Sequence, residues 1–432
     1  MKQQKTSESG QAIVLIAVAL VALIAIVGLA VDGGMAYSDR QQAQNAADAA
    51  VMSAALARAG GGGNYSTAAL TMAATNGYDN DGQKSIVDVH LPPISGPYAG
   101  NNQYIQVVIT SRVRTFFAGL IGRSQITNTV EAVARAKPAE WKEMLNGHAI
   151  VSLAPHSDCQ NTKAFWVHGE ATLELQGGGI WINSDNRACA FMQQGNGSVA
   201  ITDDSMFYIV GGASLHKPYL IKRQSPGIGY MVRKEESIAL QPIVGAVPLP
   251  YPPPFVMPKV SCGTSVATVN GDTMSPGFWD PTNEEPTFPP KGVKNLKRGI
   301  YCIGGDVRVH GNTELHGTGV LLIVDGSVHF AGDATINLEA LGGGPFQGLL
   351  LYLPLGNRNT VVLNGDSEST FRGSILAPSS LIRINGNHSN YGFHSQIIGL
   401  FIEVNGSSNV LINYKDEQNY DAASFPSVEF IQ

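Results

Sequence analysis

The chain is short of charge. Asp, Glu, Lys and Arg make up only 14% of its 432 residues, and 28 basic against 34 acidic side chains leave a net charge of −6. A nucleic-acid binder would show a basic face, so no nucleic-acid partner is expected. Cysteine is scarce as well: Cys159, Cys189, Cys262 and Cys302 are the complete set. None sits in a C-x-x-C spacing, which leaves a zinc site the weaker of two readings. Catalytic signatures are missing. There is no G-x-S-x-G and no H-E-x-x-H, and Gly177–Gly179 and Gly342–Gly344 lack both the Lys-Ser/Thr of a phosphate loop and a following helix. They read as turns. No cofactor or metal is expected, and the chain does not read as an enzyme.

Long apolar runs are limited to one, and it dominates the N-terminus. Ala12–Val31 is uninterrupted by charge. Twenty residues rising about 1.5 Å each make a helix of roughly 30 Å, the thickness of a bilayer's hydrocarbon core. A signal peptide has a shorter apolar core and a small-residue cleavage site, and Val31-Asp32-Gly33 is a poor one. The run is therefore read as a retained anchor. Lys2 and Lys5 precede it and Asp32 and Asp39 follow it. That asymmetry places the N-terminus in the cytoplasm and the body outside, as a single-pass protein of the cell membrane.

After the anchor the helix continues. Ala43, Ala46, Ala50, Ser53 and Ala57 recur at intervals of three and four, a stripe of small residues that admits close approach by another element. Two readings stay open: a docking seam for a partner helix, or packing against the chain's own domain. Gly60–Gly63 ends the helix. A second helix is expected near Thr67–Asn76, then strands at Ser85–His90, Tyr104–Val113 and Ile126–Ala136, with a short helix at Thr115–Ile121. The resulting organisation is an anchor over 1–34, a small α+β domain over 35–136, a connector over 137–148 and a β-rich body over 149–420.

The body carries a repeat. Val307-Arg308-Val309-His310-Gly311-Asn312 recurs with variation at Val328–Asp333, Val361–Asp366, Ile382–Asn387 and Ile402–Ser407, and more weakly at Phe165–Glu170. Subtracting positions, its glycines step by 21, 33, 21 and 20 residues. A period near twenty with short strands points to a right-handed parallel β-helix, the β-sandwich being the alternative. The long step is one coil with an insertion, Leu341–Phe346 being the candidate. Asn364, Asn385 and Asn405 would stack as a hydrogen-bonded ladder. Lys217–Lys297 is rich in proline, including Pro248, Pro250 and Pro252–Pro254, and reads as an excursion over the surface. Exported chains with even cysteine counts form disulfides. Three connectivities exist, and the shorter loops favour Cys159–Cys189 and Cys262–Cys302.

Parallel β-helices can host polysaccharide-acting enzymes, which need clustered carboxylates. Asp185, Asp203 and Asp204 are the best candidates. Trp166, Trp181 and Tyr208 could present a sugar-binding face, although core packing explains most aromatics. His310, His316 and His329 cluster in sequence, but a 21-residue coil puts His329 above Arg308, which disfavours a metal site.

Three stretches together resemble the TadG-like proteins of the tight-adherence (Flp) pilus assembly system. They are Gly10-Gln11-Ala12, Ala30-Val31-Asp32-Gly33-Gly34 following the apolar helix, and Gln44-Asn45-Ala46-Ala47-Asp48-Ala49-Ala50. The resemblance extends more loosely to Ala136 through Phe116-Phe117-Ala118, and residues 149–414 look like the β-rich regions attached to some members. It departs in two places. Leu15 stands where pilins of that system carry a glutamate five residues after the processed glycine. Asp325-Gly326-Ser327 and Asp366-Ser367-Glu368 do not form the D-x-S-x-S metal motif of members with a von Willebrand A domain. The resemblance implies a non-catalytic component of pilus assembly or surface adhesion. Its partners would be the membrane, other pilus-assembly or envelope proteins, and cell-wall or surface glycan. A polysaccharide-binding or polysaccharide-degrading β-helix is the competing reading. A chain lacking Met1–Gly34 should appear in the soluble fraction on cell fractionation; retention on membranes would overturn the anchor.

Overall fold

One helix runs through the apolar run, the polar stretch 32–42 and the alanine stripe. The computed structural model describes residues 9–61, 63–202, 205–224, 238–364, 366, 368–385, 392–406 and 409–431. Within these, α1 runs Ser9–Ala59 and stops at the glycine cluster, and α2 runs Tyr65–Thr75. The chain forms two compact units, 1–140 with 425–432, and 141–424.

In the first unit, β1 (Ser85–His90), β2 (Tyr104–Arg114) and β3 (Gln125–Lys137) make an antiparallel sheet. The C-terminal strand Ser427–Ile431 adds to its edge beside β3, so the last residues of the chain complete the first domain. The sheet is covered by the second half of α1. Ala43, Ala46, Ala50 and Ala54 are fully buried among Ile105, Val107 and Ala134. Small side chains let the helix lie close to the strands. Asp39 on α1 locks that packing. Its carboxylate accepts from Ser111 Oγ and from Asn128 Nδ2 at 2.7 Å, and Tyr78 OH donates to it at 3.2 Å. Burial, with Asp39 beside it, pushes the Tyr78 phenol above its ordinary range.

The second unit is a parallel β-solenoid of about ten turns. Its ladders are parallel throughout the coils, which decides against a β-sandwich. One ladder has 12 strands; a 17-stranded assembly supplies the other two faces of each coil. Alternate side chains point inward and stack. Phe165, Phe191 and Phe207 follow one another at 5.7 and 4.9 Å between ring centroids, and Phe330, Phe371 and Phe393 do so at 5.6 and 4.9 Å. The long repeat step is absorbed in two places, at 340–348 and 353–360. In the second, Asn357 Nδ2 donates to the carbonyls of Val324, Asp325 and Gly326.

The order of coils along the stack is not their order in the chain. Strand Ile397–Asn405, in the last coil, pairs in parallel with Ile150–Ser152 and Phe165–Val167, in the first. The chain therefore enters the solenoid in its middle. It winds to one end at Ile243–Val244, crosses to the opposite end, and winds back from Gly277–Trp279 to meet its own first coil. Entry and exit lie side by side, because Trp141–Glu143 and Asp421–Ala423 form an antiparallel pair. Each end of the 12-stranded ladder is closed by an antiparallel strand, Ile238–Ala239 at one and Val269–Asn270 at the other. Such pairing blocks further parallel addition.

The proline-rich stretch is the crossing strap, and it occupies only the middle of 217–297, since Ile221–Gln224 and Thr273–Met274 still pair within the coils. It lies on outward-facing apolar residues, burying Val151, Leu321, Ile323, Tyr352 and Leu376 beneath Leu249, Tyr251, Phe255 and Met257. Prolines suit this path because they bring no N–H that a covered strap would have to satisfy. Where N–H groups remain, they are used. The Asn183 amide accepts from Leu249 N at 2.7 Å and donates to Leu249 O at 2.9 Å, and Val256 N donates to Ala423 O at 2.8 Å. Cys262–Cys302 pins the strap's far end, and Cys159–Cys189 closes a turn of the first coil, the pairing expected from the shorter loops. Closing a loop with a sequence separation of 40 constrains the unfolded chain by about 4 kcal/mol. The double variant Cys262→Ser, Cys302→Ser should lose up to that amount in denaturant melts and should become cleavable between residues 245 and 262 in limited proteolysis.

Candidate functional site

Two places concentrate polar chemistry next to features the fold depends on. The first is the end of the apolar run. Residues 13–31 of α1 are exposed except Gly28, whereas a core helix of a soluble body would bury its apolar face. This exposed run suggests membrane anchoring. Asp32, one residue beyond it, is only 4% exposed. Its two carboxylate oxygens accept the backbone N–H groups of Phe116 (2.8 Å), Phe117 (3.0 Å) and Ala118 (2.7 Å). These residues lead into a 3-10 turn, Ala118–Ile121, at the tip of the β2–β3 hairpin. The carboxylate supplies the acceptors that the turn's free N–H groups need. The sequence marked Asp32 as a flanking charge and as part of the stretch resembling TadG-like proteins, but nothing in local spacing linked it to a loop more than eighty residues away.

The second place is the seam between the last and first coils. Outward-facing residues line up in register there, Glu403 opposite Trp166 across the seam and Arg383 opposite Glu403 from the preceding coil. Glu403 accepts from His168 Nε2 at 3.0 Å, from Asn405 Nδ2 at 3.0 Å and from Arg383 Nε at 2.9 Å. Burial pushes its carboxyl up, but those three donors together outweigh burial and hold it below the ordinary carboxylate range. His168 also stacks on Trp166, with centroids 3.5 Å apart and planes 16° from parallel, and Lys163 Nζ lies 4.1 Å from the Trp166 centroid. Trp166 Nε1 donates to Gln194 one coil further on, at 3.0 Å. An open cleft of about 320 Å³ lies beside this group, bounded by Asn161, Lys163, Trp166, Phe401 and Glu403.

The residues singled out from sequence fall differently. Of the small-residue stripe, Ala43, Ala46 and Ala50 are fully buried in the chain's own core, while Ser53 Oγ donates to Ala68 O and Ala57 is half-buried. Packing against its own domain occupies that face, so the partner-helix seam is set aside. Asn385 sits opposite Asn405 in register, and Asn364 follows the Leu363–Ile384 pair. The stack is there without the expected side-chain chain of hydrogen bonds: Asn405 Nδ2 goes to Glu403, and Oδ1 of Asn364 and of Asn385 has no partner among the described residues. The aromatic trio divides. Trp181 and Tyr208 pair in register on one face, 5.5 Å apart, with His148 against both. Burial holds the His148 imidazole down at about 4, hence neutral. Trp166 lies on another face, engaged by His168 and Lys163. Asp185 is exposed and meets His156 Nδ1 at 2.8 Å. Asp203 and Asp204 lie outside the described residues. His329 stands opposite Arg308, as the repeat requires.

Compared with known proteins, residues 10–58 match a family model described as putative Flp pilus-assembly TadE/G-like. The match coincides with α1 and ends with the helix, so the resemblance read from residues 10–57 stands for that segment. No curated protein and no solved structure matches the chain.

The seam carries a pH signature. Glu403's folded value lies below its ordinary 4.5, so its contribution is fully present above about pH 4.5 and is lost as pH falls through the lower folded value. Glu403→Gln should therefore cost about 1–2 kcal/mol at neutral pH. The gap to the native chain should narrow in melts run progressively below pH 4.5.

Proposed function

We propose that this chain is a membrane-anchored, non-catalytic structural component of Flp-type pilus assembly. In this reading α1 crosses the membrane once with its N-terminus in the cytoplasm, and both units stand outside. The observation that carries it is the coincidence of the TadE/G-like match with a single helix of two characters. Its first part is apolar and exposed; its second part is the core of a folded domain. A family-related role in pilus assembly follows from the match. Orientation is supported by Lys2 and Lys5 before the run and Asp32 and Asp39 after it. Two disulfides suit an oxidising compartment.

A structural role is favoured over catalysis by how the polar groups are used. Glu403 is committed to three donors, one of them across the seam, and Asp306 accepts from Ser327 N and Ser327 Oγ, both at 2.8 Å. These groups hold coils in register. The Trp166 ring is already engaged by His168 and Lys163, which weighs against its use as a free sugar platform.

The test is an affinity pull-down of the full-length, membrane-extracted protein from its native host, read by mass spectrometry. Recovery of pilins or of pilus-secretion proteins is the expected result. Their absence, with the protein retained instead on cell-wall polysaccharide, would overturn the assembly role in favour of glycan binding.

A further inference from the structure

The tip of the β2–β3 hairpin is apolar where a water-facing tip would be polar. Phe116, Leu120 and Ile121 are 68%, 84% and 82% exposed. Exposed large side chains scattered singly need no explanation, but three within six residues at a hairpin tip form a patch. The tip also lies along the apolar run of α1. Phe117 packs on Gly28 so closely that a Cβ there would lie 2.7 Å from Phe117 Cβ. Between the two elements is an open cleft of about 550 Å³, walled by Val21, Ile24 and Leu29 from the helix and by Phe117, Leu120 and Ile121 from the tip. It runs back from Leu29 to Val21, about 12 Å along the helix axis. The tip therefore reaches well inside the stretch read as membrane-spanning.

We propose that this hairpin tip inserts into the outer leaflet beside the anchor and that a lipid acyl chain fills the cleft between them. The proposal rests on the anchoring reading given above. Three features of the sequence then have one explanation. Asp32 closes the base of the tip with three hydrogen bonds, so N–H groups entering an apolar layer are not left unpaired. Gly28 supplies the gap into which Phe117 seats. Arg114 and Arg123, both exposed, flank the apolar residues where side chains can reach lipid phosphates while their stems remain in the interface. A second contact point also stops the domain swinging freely about a single helix.

The four native cysteines are all in disulfides, so an introduced cysteine can be labelled alone. Full-length protein carrying Ile121→Cys, Leu20→Cys or Asn102→Cys would be labelled with an environment-sensitive fluorophore. Each would be reconstituted into phosphatidylcholine–phosphatidylglycerol vesicles with and without nitroxide-bearing acyl chains. The expected result is that the labels at 121 and 20 are blue-shifted and lose at least half their emission to the nitroxide lipid. The label at 102 should be quenched only by aqueous iodide. Quenching at 20 with iodide accessibility at 121 would overturn tip insertion while keeping the anchor. Iodide accessibility at both would overturn the anchor itself. A label at 121 shielded from both quenchers would mean that a second copy of the chain, not lipid, covers the tip, and would also overturn the proposal.

Discussion

The parallel pairing of Ile397–Asn405 with Ile150–Ser152 and Phe165–Val167 is the contact on which the solenoid depends. Without it the body would be two short stacks, each with an open ladder end in the middle of the molecule. An open ladder end exposes unpaired N–H and C=O groups and an uncovered apolar layer. The seam covers both at once. It joins residues some 235–250 positions apart, so it carries the loop-closure entropy that neighbouring coils avoid. The polar cluster at Glu403 is placed where that cost falls. There Glu403 ties three coils together: its own, that of Arg383 twenty residues earlier and, across the seam, that of His168.

The strap follows from the same constraint. A chain that enters a stack in the middle must return from one end to the other, and the return path is exposed unless it finds something to cover. Here the outward positions of one face are Leu321, Ile323, Tyr352 and Leu376, large apolar groups that an ordinary solenoid would leave in water. Strap and face solve each other's problem. This explains why Val320–Val324 is buried at every position although a coil strand normally alternates. The inward residues meet the core and the outward ones meet the strap.

Much of this was legible residue by residue. The step of about twenty marks the coils because inward positions must repeat for side chains to stack. The antiparallel strands of the first unit are visible as alternation, and their ends fall within a residue or two of expectation. Both disulfides follow from loop length. The coil order was not legible, because a period states that units are alike and not which unit lies on which. The same limit hid the strand Ser427–Ile431, whose partner β3 is almost three hundred residues away. The small-residue stripe shows a different failure. Ala43, Ala46 and Ala50 announce close approach, but sequence spacing cannot distinguish a neighbour in the same chain from one in another. The asparagine stack fails on geometry finer than register: Asn385 and Asn405 are aligned, yet Asn405 turns to Glu403.

The helix α1 gathers these themes into one element. Over residues 13–31 its requirement is apolar surface all round; from Ala43 onward it is small volume on one face, because the sheet lies against the backbone. Asp32 sits at the change between the two regimes. A carboxylate there is tolerated because the hairpin tip brings three N–H groups to it, and the tip can approach because position 28 is glycine. Each of these residues constrains another that is distant in sequence. A segment so constrained on every side leaves little freedom at these positions, and it lies within the stretch that matches the TadE/G-like family model, residues 10–58.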